Sequence, residues 1–347
     1  MSEPLTVGVV GAGAIAQVAH LPVLSRMEGA KVSGMCDNDR AKARALAERF
    51  GVPDVYDDIE DLLRYSHPDI LAVCTPNHLH EIHVKTALSA GVHVFCERPL
   101  AIDLAGIQSV IEARERAGVS LIVGMNHRYR SDVQSVRGFL HRGELGSIRA
   151  VRSGWYTFRP ARQALGWRRR PAQSGGGALF DLGLPLIDLA LWVTGETGPF
   201  RVSATINKAT GENTVEDVGS VLVACDDGPA LSVDVTWRYV GESERWWCEV
   251  IGVDGSARVA PLAVFKEMHG SAVNVTPPIP AGRGSVFTAS YQAQWMNFLA
   301  EIRGDVERTD LSDQLVTHRV MEAAYESART GVTVVVPVRE VDPASRG

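Results

Sequence analysis

The sequence predicts an α/β protein in two parts: a doubly wound parallel sheet over residues 1–125, then an α+β part over 126–347 with a mostly antiparallel, open sheet. Three observations lead there. Short apolar runs alternate with helically spaced segments through the first third. A turn carrying Gly11 and Gly13 joins the first run to the first helix. Beyond residue 126, strand-like runs follow one another directly. Alternation of the first kind demands crossover connections and a parallel sheet, and succession of the second kind an antiparallel one.

The elements follow in order. "LTVGVV" (5–10) is a strand that ends in glycines, and "AIAQVAHLPVL" has helical spacing. "KVSGMCD" (31–37) is the second strand. "NDRAKARALAERFG" (38–51) is a helix with Asp/Asn at its start and Gly51 at its close, the residues that cap helix ends. Strands follow at 69–75, 92–97 and 120–125, with helices at 79–90 and 103–117 between them. The second part opens with a helix (131–142) and a strand (147–157), then a polar, glycine-rich loop (158–177) and an apolar helix containing Pro185. Strands are expected at 200–207, 217–225, 230–238 and 246–252, a Pro/Gly loop at 274–284, and helices near 290–303 and 311–330.

Composition narrows the function. Among 347 residues, 45% are hydrophobic and 22% charged, which fits a globular chain. The net charge of −6 argues against nucleic acid or an anionic membrane as a general partner. No stretch of about 20 apolar residues stands out, and the start "MSEPLTVGVV" lacks a signal-type apolar core. Five cysteines with no C-x-x-C spacing fit a reduced, cytoplasmic protein.

"VVGAGAIA" sets Gly11-x-Gly13-x-x-Ala16 between the first strand and helix. Gly11 permits a tight turn, Gly13 lets backbone approach a pyrophosphate, and Ala16 lets helix pack on strand. Ala14 and Ile15 open the helix, whose free N–H groups suit phosphates. Asp37 ends the second strand, where a carboxylate accepts ribose hydroxyls and repels a 2′-phosphate; NAD is therefore expected over NADP. Asp37 also suits a helix cap, and Arg40 lies nearby. "TPNHLHEIH" gathers His78, His80 and His83, but their spacing is not that of a zinc helix and no metal is expected. The stretch is read instead as a cofactor-lining loop with Thr75, Pro76, Asn77 and His80 on it.

With "TPNHLH", "CERPLA" and "SGGGALFDLG" in order, nearly the whole chain resembles the glucose–fructose oxidoreductase/inositol dehydrogenase (Gfo/Idh/MocA) family. The resemblance implies a Rossmann domain, a second domain whose open sheet supports homo-oligomers, and a sugar, cyclitol or sugar-acid-like substrate. It also implies two departures. The family's E-K-P motif, with its lysine near the nicotinamide, reads Glu97-Arg98-Pro99 here. Its D-x-G-x-H-x-x-D motif reads Asp181-x-Gly183-x-Pro185-x-x-Asp188, with proline where the proton-transferring histidine belongs. Arginine does not deprotonate and proline carries no acid–base group. Loss of a general base costs about 10²–10⁴ in rate.

Replacement candidates are His127, beside Asn126 after the last parallel strand, and more weakly Tyr129, Tyr156 and Asp181. Arg98 can orient an oxygen and stabilise negative charge. Asn126 and Glu97 complete the expected cofactor set. Tyr156, Trp167, Arg168 and Asp188 are substrate candidates; Trp155, Tyr156 and Trp167 fit either a stacking wall or a core, and Arg128, Arg168 and Arg169 either an anion grip or a solvated surface. A mid-helix proline costs roughly 3 kcal/mol, so either the helix bends at Pro185 or begins near Leu184. Three readings stay open: an NAD-dependent oxidoreductase with altered proton handling, an NAD-retaining enzyme of elimination, epimerisation or glycoside cleavage, and a non-catalytic dinucleotide-binding sensor or assembly protein.

Overall fold

The computed structural model describes residues 3–159, 166–208, 215–278 and 285–337. The expected loops at 158–177 and 274–284 lie outside them at 160–165 and 279–284. The chain divides into two compact units, Met1–Arg130 with Ala281–Leu311, and Ser131–Pro280 with Ser312–Gly347. A single cut at residue 125 therefore does not describe it.

The first unit holds six strands: β1 (Leu5–Val10), β2 (Ala30–Cys36), β3 (Asp54–Tyr56), β4 (Ile70–Val73), β5 (His93–Cys96) and β6 (Leu121–Val123). They pair in the order β3-β2-β1-β4-β5-β6, all parallel. This order reverses between β1 and β4, which opens a crevice at the strands' carboxyl ends. β4 is buried throughout, as a central parallel strand covered on both faces must be. The Arg40–Phe50 helix is capped by the Asp39 side chain and closed by Gly51 in the left-handed conformation, so Asp39 rather than Asp37 is the cap. The Val286–Arg303 helix returns from the far end of the sequence. Its Tyr291, Trp295, Phe298 and Leu299 join Val7, Ile70, Ala72 and Phe95 in one buried cluster, and Trp295 stacks on Phe95 at 4.5 Å.

The second unit is built on nine strands: β7 (Ile148–Tyr156), β8 (Phe200–Lys208), β9 (Glu216–Cys225), β10 (Ala230–Thr236), β11 (Arg245–Gly252), β12 (Gly255–Val259), β13 (Ala263–Met268), β14 (Ser271–Asn274) and β15 (Val334–Val336). Their order is β14-β13-β12-β11-β7-β10-β9-β8-β15, antiparallel except for the β7–β10 pair. Alternation decides the faces: Val151, Val221, Val223, Leu231, Val233 and Val235 are buried under the helices, while Arg152, Leu222 and Glu249 point the other way and are exposed.

Pro185 does not sit in an ordinary helix interior. Leu179–Gly183 is a wide π-turn, and the α-helix runs Leu184–Thr194 with Pro185 in its first turn. There a missing N–H is one of the helix's unpaired donors anyway. Neither expected solution holds outright: the run stays helical from Ala178 through Thr194, and Pro185 falls where the π-turn passes into the α-helix. The same device recurs in the first unit, where the π-turn Ala16–His20 precedes a helix over Leu21–Leu24 with Pro22 in its first turn. Within the run Pro171–Thr194 an 18-residue window has a mean hydropathy of 1.5, so the run is long and apolar enough to span a membrane, against the sequence expectation; 89% of that window is buried inside the protein.

Candidate functional site

The first unit collects its predicted residues at the carboxyl ends of its strands. Gly11 follows β1 with φ +96°, a conformation that glycine adopts freely. A Cβ there would lie 2.6 Å from the Cys74 carbonyl carbon and oxygen, whereas one on Gly13 would meet only the Cys74 oxygen, at 3.6 Å. The space over Gly13 is thus left open by the protein, as close approach of a pyrophosphate requires. Ala14 and Ile15 follow in helical conformation, and Ala16 is fully buried.

The Asp37 carboxylate reaches back into this turn. Its Oδ2 accepts the Ala12 N–H at 2.6 Å and its Oδ1 the Asp39 N–H at 2.9 Å. Each oxygen keeps a second lone pair for a ribose hydroxyl. Lys42 Nζ stands 3.8 Å from Oδ2, and Arg40 is engaged by Asp57 at 3.4 Å.

Thr75, Pro76 and Asn77 line the turn after β4, and Asn77 begins a 3₁₀ turn. His80 is buried behind them, with Nδ1 2.6 Å from the Pro99 carbonyl oxygen and Nε2 2.8 Å from that of Thr75. Glu97 follows β5 and differs from expectation. It is 6% exposed, its carboxylate takes His20 Nε2 at 2.8 Å, and the Tyr291 hydroxyl bonds it too. Burial pushes its carboxyl up, but His20, Arg98 and Tyr291 outweigh that and hold it below the usual carboxylate range. Glu97 is therefore a strut inside the unit rather than a cofactor ligand. Burial opposes a charge on His20, while Cys74 and Glu97 favour one. The Trp295 indole N–H donates to His20 Nδ1 at 3.1 Å, so that nitrogen keeps its lone pair and Nε2 carries the proton toward Glu97.

Asn126 and His127 follow β6, both buried. Asn126 Nδ2 donates to Ser290 Oγ at 3.0 Å. Burial, then the Arg130 and Arg98 charges, hold the His127 pKa well below its ordinary value. Its ring is neutral at neutral pH, and that same shift makes it a weak proton acceptor. Arg98 is half-buried beside the buried Pro99.

In the second unit Asp181 sits on the π-turn. Its Oδ2 meets an Arg159 guanidinium nitrogen at 2.8 Å and accepts the Trp237 indole N–H at 3.2 Å. Arg159 lies 4.9 Å over the Trp237 ring, so carboxylate, guanidinium and aromatic face form one cluster. The loop before Asp181 is fixed by Glu216, which is 2% exposed. Glu216 Oε1 accepts the N–H groups of Gly177 and Leu179 at 2.7 and 3.1 Å and the Tyr325 hydroxyl at 2.7 Å. Side chains on Gly176 or Gly177 would collide with Tyr325 Oη or the Glu216 backbone, which explains the glycine run.

The substrate candidates scatter. Tyr156 packs edge-on to Trp247 at 4.8 Å and near Tyr239 on the sheet face away from the helices. Arg168 covers the Trp167 ring at 4.4 Å in the Gly166–Arg169 turn. Asp188 is 1% exposed on the Leu184–Thr194 helix, so its carboxylate belongs to the core and offers no face to a substrate. Sequence reading missed Arg159, Trp237, Glu216, Tyr325, His20 and Tyr291. Their partners lie far along the chain, and no local pattern marks them; the glycine run 175–177 alone signals the crowding at Glu216. Among the described residues, no group of three His, Cys, Asp or Glu is set to hold a metal.

The comparisons agree with this architecture. Residues 5–125 match the oxidoreductase family with an NAD-binding Rossmann fold, and residues 133–258 match the GFO/IDH/MocA C-terminal domain. The chain is 32% identical to the D-glucoside 3-dehydrogenase of Escherichia coli (strain K12), over 96% of this chain and 98% of that protein. It is 27% identical to the glucose-6-phosphate 3-dehydrogenase of Bacillus subtilis (strain 168), over 92% and 95%. The crystal structure of GenD2 from gentamicin A biosynthesis in complex with NAD superposes with a TM-score of 0.84 at 26% identity, covering 97% of this chain and 98% of that one. This chain belongs to the GFO/IDH/MocA oxidoreductase family.

Proposed function

We propose that this protein is an NAD-dependent oxidoreductase acting on a carbon-bound hydroxyl of a small sugar-like substrate. The observation that carries the reading is the Asp37 carboxylate bonded to the glycine turn while the space over Gly13 stays open. Gly11, Gly13, Ala14 and Ile15 would hold the pyrophosphate and Asp37 the adenosine ribose, with Thr75, Pro76, Asn77 and Asn126 lining the crevice. Bound NAD supplies hydride transfer. The sugar-related relatives support a hydroxyl-rich substrate.

The chain's own groups divide the remaining work. The Asp181–Arg159 pair suits a sugar: its carboxylate accepts a hydrogen bond from a hydroxyl and its guanidinium donates to a hydroxyl oxygen, while the buried Trp237 ring backs the pair. Arg98 remains a cation that orients an oxygen and stabilises charge on it. His127 is the candidate acceptor for the hydroxyl proton. Its depressed pKa and the proline at 185 favour slow net turnover, and so give a second reading its weight: an NAD-retaining transformation with no NADH released. The open face of the nine-stranded sheet is the proposed homo-oligomer contact. The five cysteines are all free and buried, in keeping with a proposed cytoplasmic location.

The test is calorimetry with NADH, followed by a sugar and cyclitol screen at the NADH absorbance with product analysis in parallel. NADH is expected to bind, NADPH more weakly, and Gly11→Ala to lose binding by at least about tenfold because its Cβ strikes the Cys74 backbone. No heat with either nucleotide would end the reading. Product without NADH release would favour the second.

A further inference from the structure

The His80 imidazole lies between two groups that can only accept. Nδ1 is 2.6 Å from the Pro99 carbonyl oxygen and Nε2 is 2.8 Å from the Thr75 carbonyl oxygen, with the ring 1% exposed. A neutral imidazole carries one N–H. It would satisfy one carbonyl and turn a nitrogen lone pair on the other; only the imidazolium donates to both. The two carbonyls belong to different walls. Thr75 follows β4 and begins the turn to Asn77, and Pro99 follows β5 directly after Arg98.

We propose that His80 is a proton-gated positioning residue, whose imidazolium fastens the Thr75–Asn77 turn to the Arg98–Pro99 turn and so shapes the nicotinamide-nucleotide crevice. The proposal rests on the reading of this unit as an NAD site. It gives a buried histidine a task that neither hydride nor proton transfer assigns to it.

The surrounding charges set the sign. From the end of β5, Glu97 favours the cation; from the 3₁₀ turn, His78 opposes it, and burial opposes it most. Burial, then the His80 and His78 charges, push His83 on the same helix down to about 4. His83 therefore stays neutral, and its Nδ1 pairs with Thr75 Oγ1 at 3.1 Å. His80 itself is drawn below its ordinary value by burial, so its proton, and the second carbonyl bond, are present on the acid side of the ordinary histidine value of about 6.5 and lost as pH rises. One wall is then released.

Two measurements on the intact protein decide it. The first is a ¹⁵N NMR titration of the histidine side chains, with His80→Gln used to assign the signal. On acidification the bare ring nitrogen of His80 is expected to gain a proton, leaving both nitrogens protonated, within the folded pH range. A ring that keeps one bare nitrogen down to the acid unfolding limit overturns the proposal. The second is NADH affinity against pH. Wild type is expected to bind about five- to tenfold more tightly on the acid side of the NMR titration than on the alkaline side, the worth of one ordinary hydrogen bond, and His80→Gln to bind weakly with no such step. An unchanged step in the variant, or a flat wild-type profile, overturns it. If wild type binds no NADH at any pH, the cofactor reading fails and the NMR titration still decides the state of His80.

Discussion

At the scale of single residues, Glu97 shows how a buried charge is kept. His20, Arg98 and Tyr291 hold its carboxyl below the usual range although burial pushes it up. A carboxyl whose folded pKa is depressed adds stability above its unfolded pKa, near 4.3, and loses it as pH falls through the folded value. Glu97→Gln is expected to cost about 2 kcal/mol at neutral pH and to flatten the acid limb of stability below about pH 4.3. Urea titrations from neutral to acid pH check both. An acid limb as steep in the variant as in wild type would place the sensitivity on other carboxylates. What was legible at this scale was what is local. The glycine turn and Asp37 are read from a few adjacent letters, and their geometry follows expectation. The network around Glu97 was not legible, because His20 meets Trp295 across 275 positions of chain and no spacing rule reaches so far.

At the scale of elements, the π-turn resolves the cost of Pro185. A proline in a regular helix interior costs about 3 kcal/mol, and one in the first turn very little. Pro185→Ala is therefore expected to change stability by less than about 1 kcal/mol, read by thermal or urea unfolding. A gain near 3 kcal/mol would mean that the proline still obstructs a continuous helix. The main strands of both sheets were legible to within a residue or two, because burial on one or both faces writes itself into apolar runs and alternation. The hairpins over β12, β13 and β14 were not. They form an edge of the sheet where Arg258, Lys266 and Glu267 break the pattern, and edge strands are selected for such charges. β3, three residues with no buried member, leaves no signal at all.

At the scale of the whole molecule, the nine-stranded sheet has its helices, among the described residues, on one face. On the other, the Trp247 indole lies across Gly154, whose Cβ would strike it. Leu222 and Phe265 are exposed there at 49% and 37%. A sheet face with these apolar groups among Ser220, Ser232 and the paired positions Arg152 and Glu249 is expected to bury itself against another copy. Light scattering should find an oligomer, and Leu222→Glu should shift it toward monomer while leaving NADH affinity unchanged. A wild-type monomer at working concentrations would remove the proposed contact.

The return of the Val286–Arg303 helix to the first unit also sets an order of events during synthesis. The six parallel strands leave the ribosome early, but Trp295 and Phe298, two of the largest fully buried side chains, arrive only after eight of the nine strands of the other sheet, β7 to β14, have been made. The nucleotide-binding half must wait for them with its central apolar surface uncovered, and the later-made half waits in turn for Ser312–Gly347. A nascent chain halted before residue 286 should therefore call on chaperones, and the first half to be translated should become native only when synthesis is nearly complete.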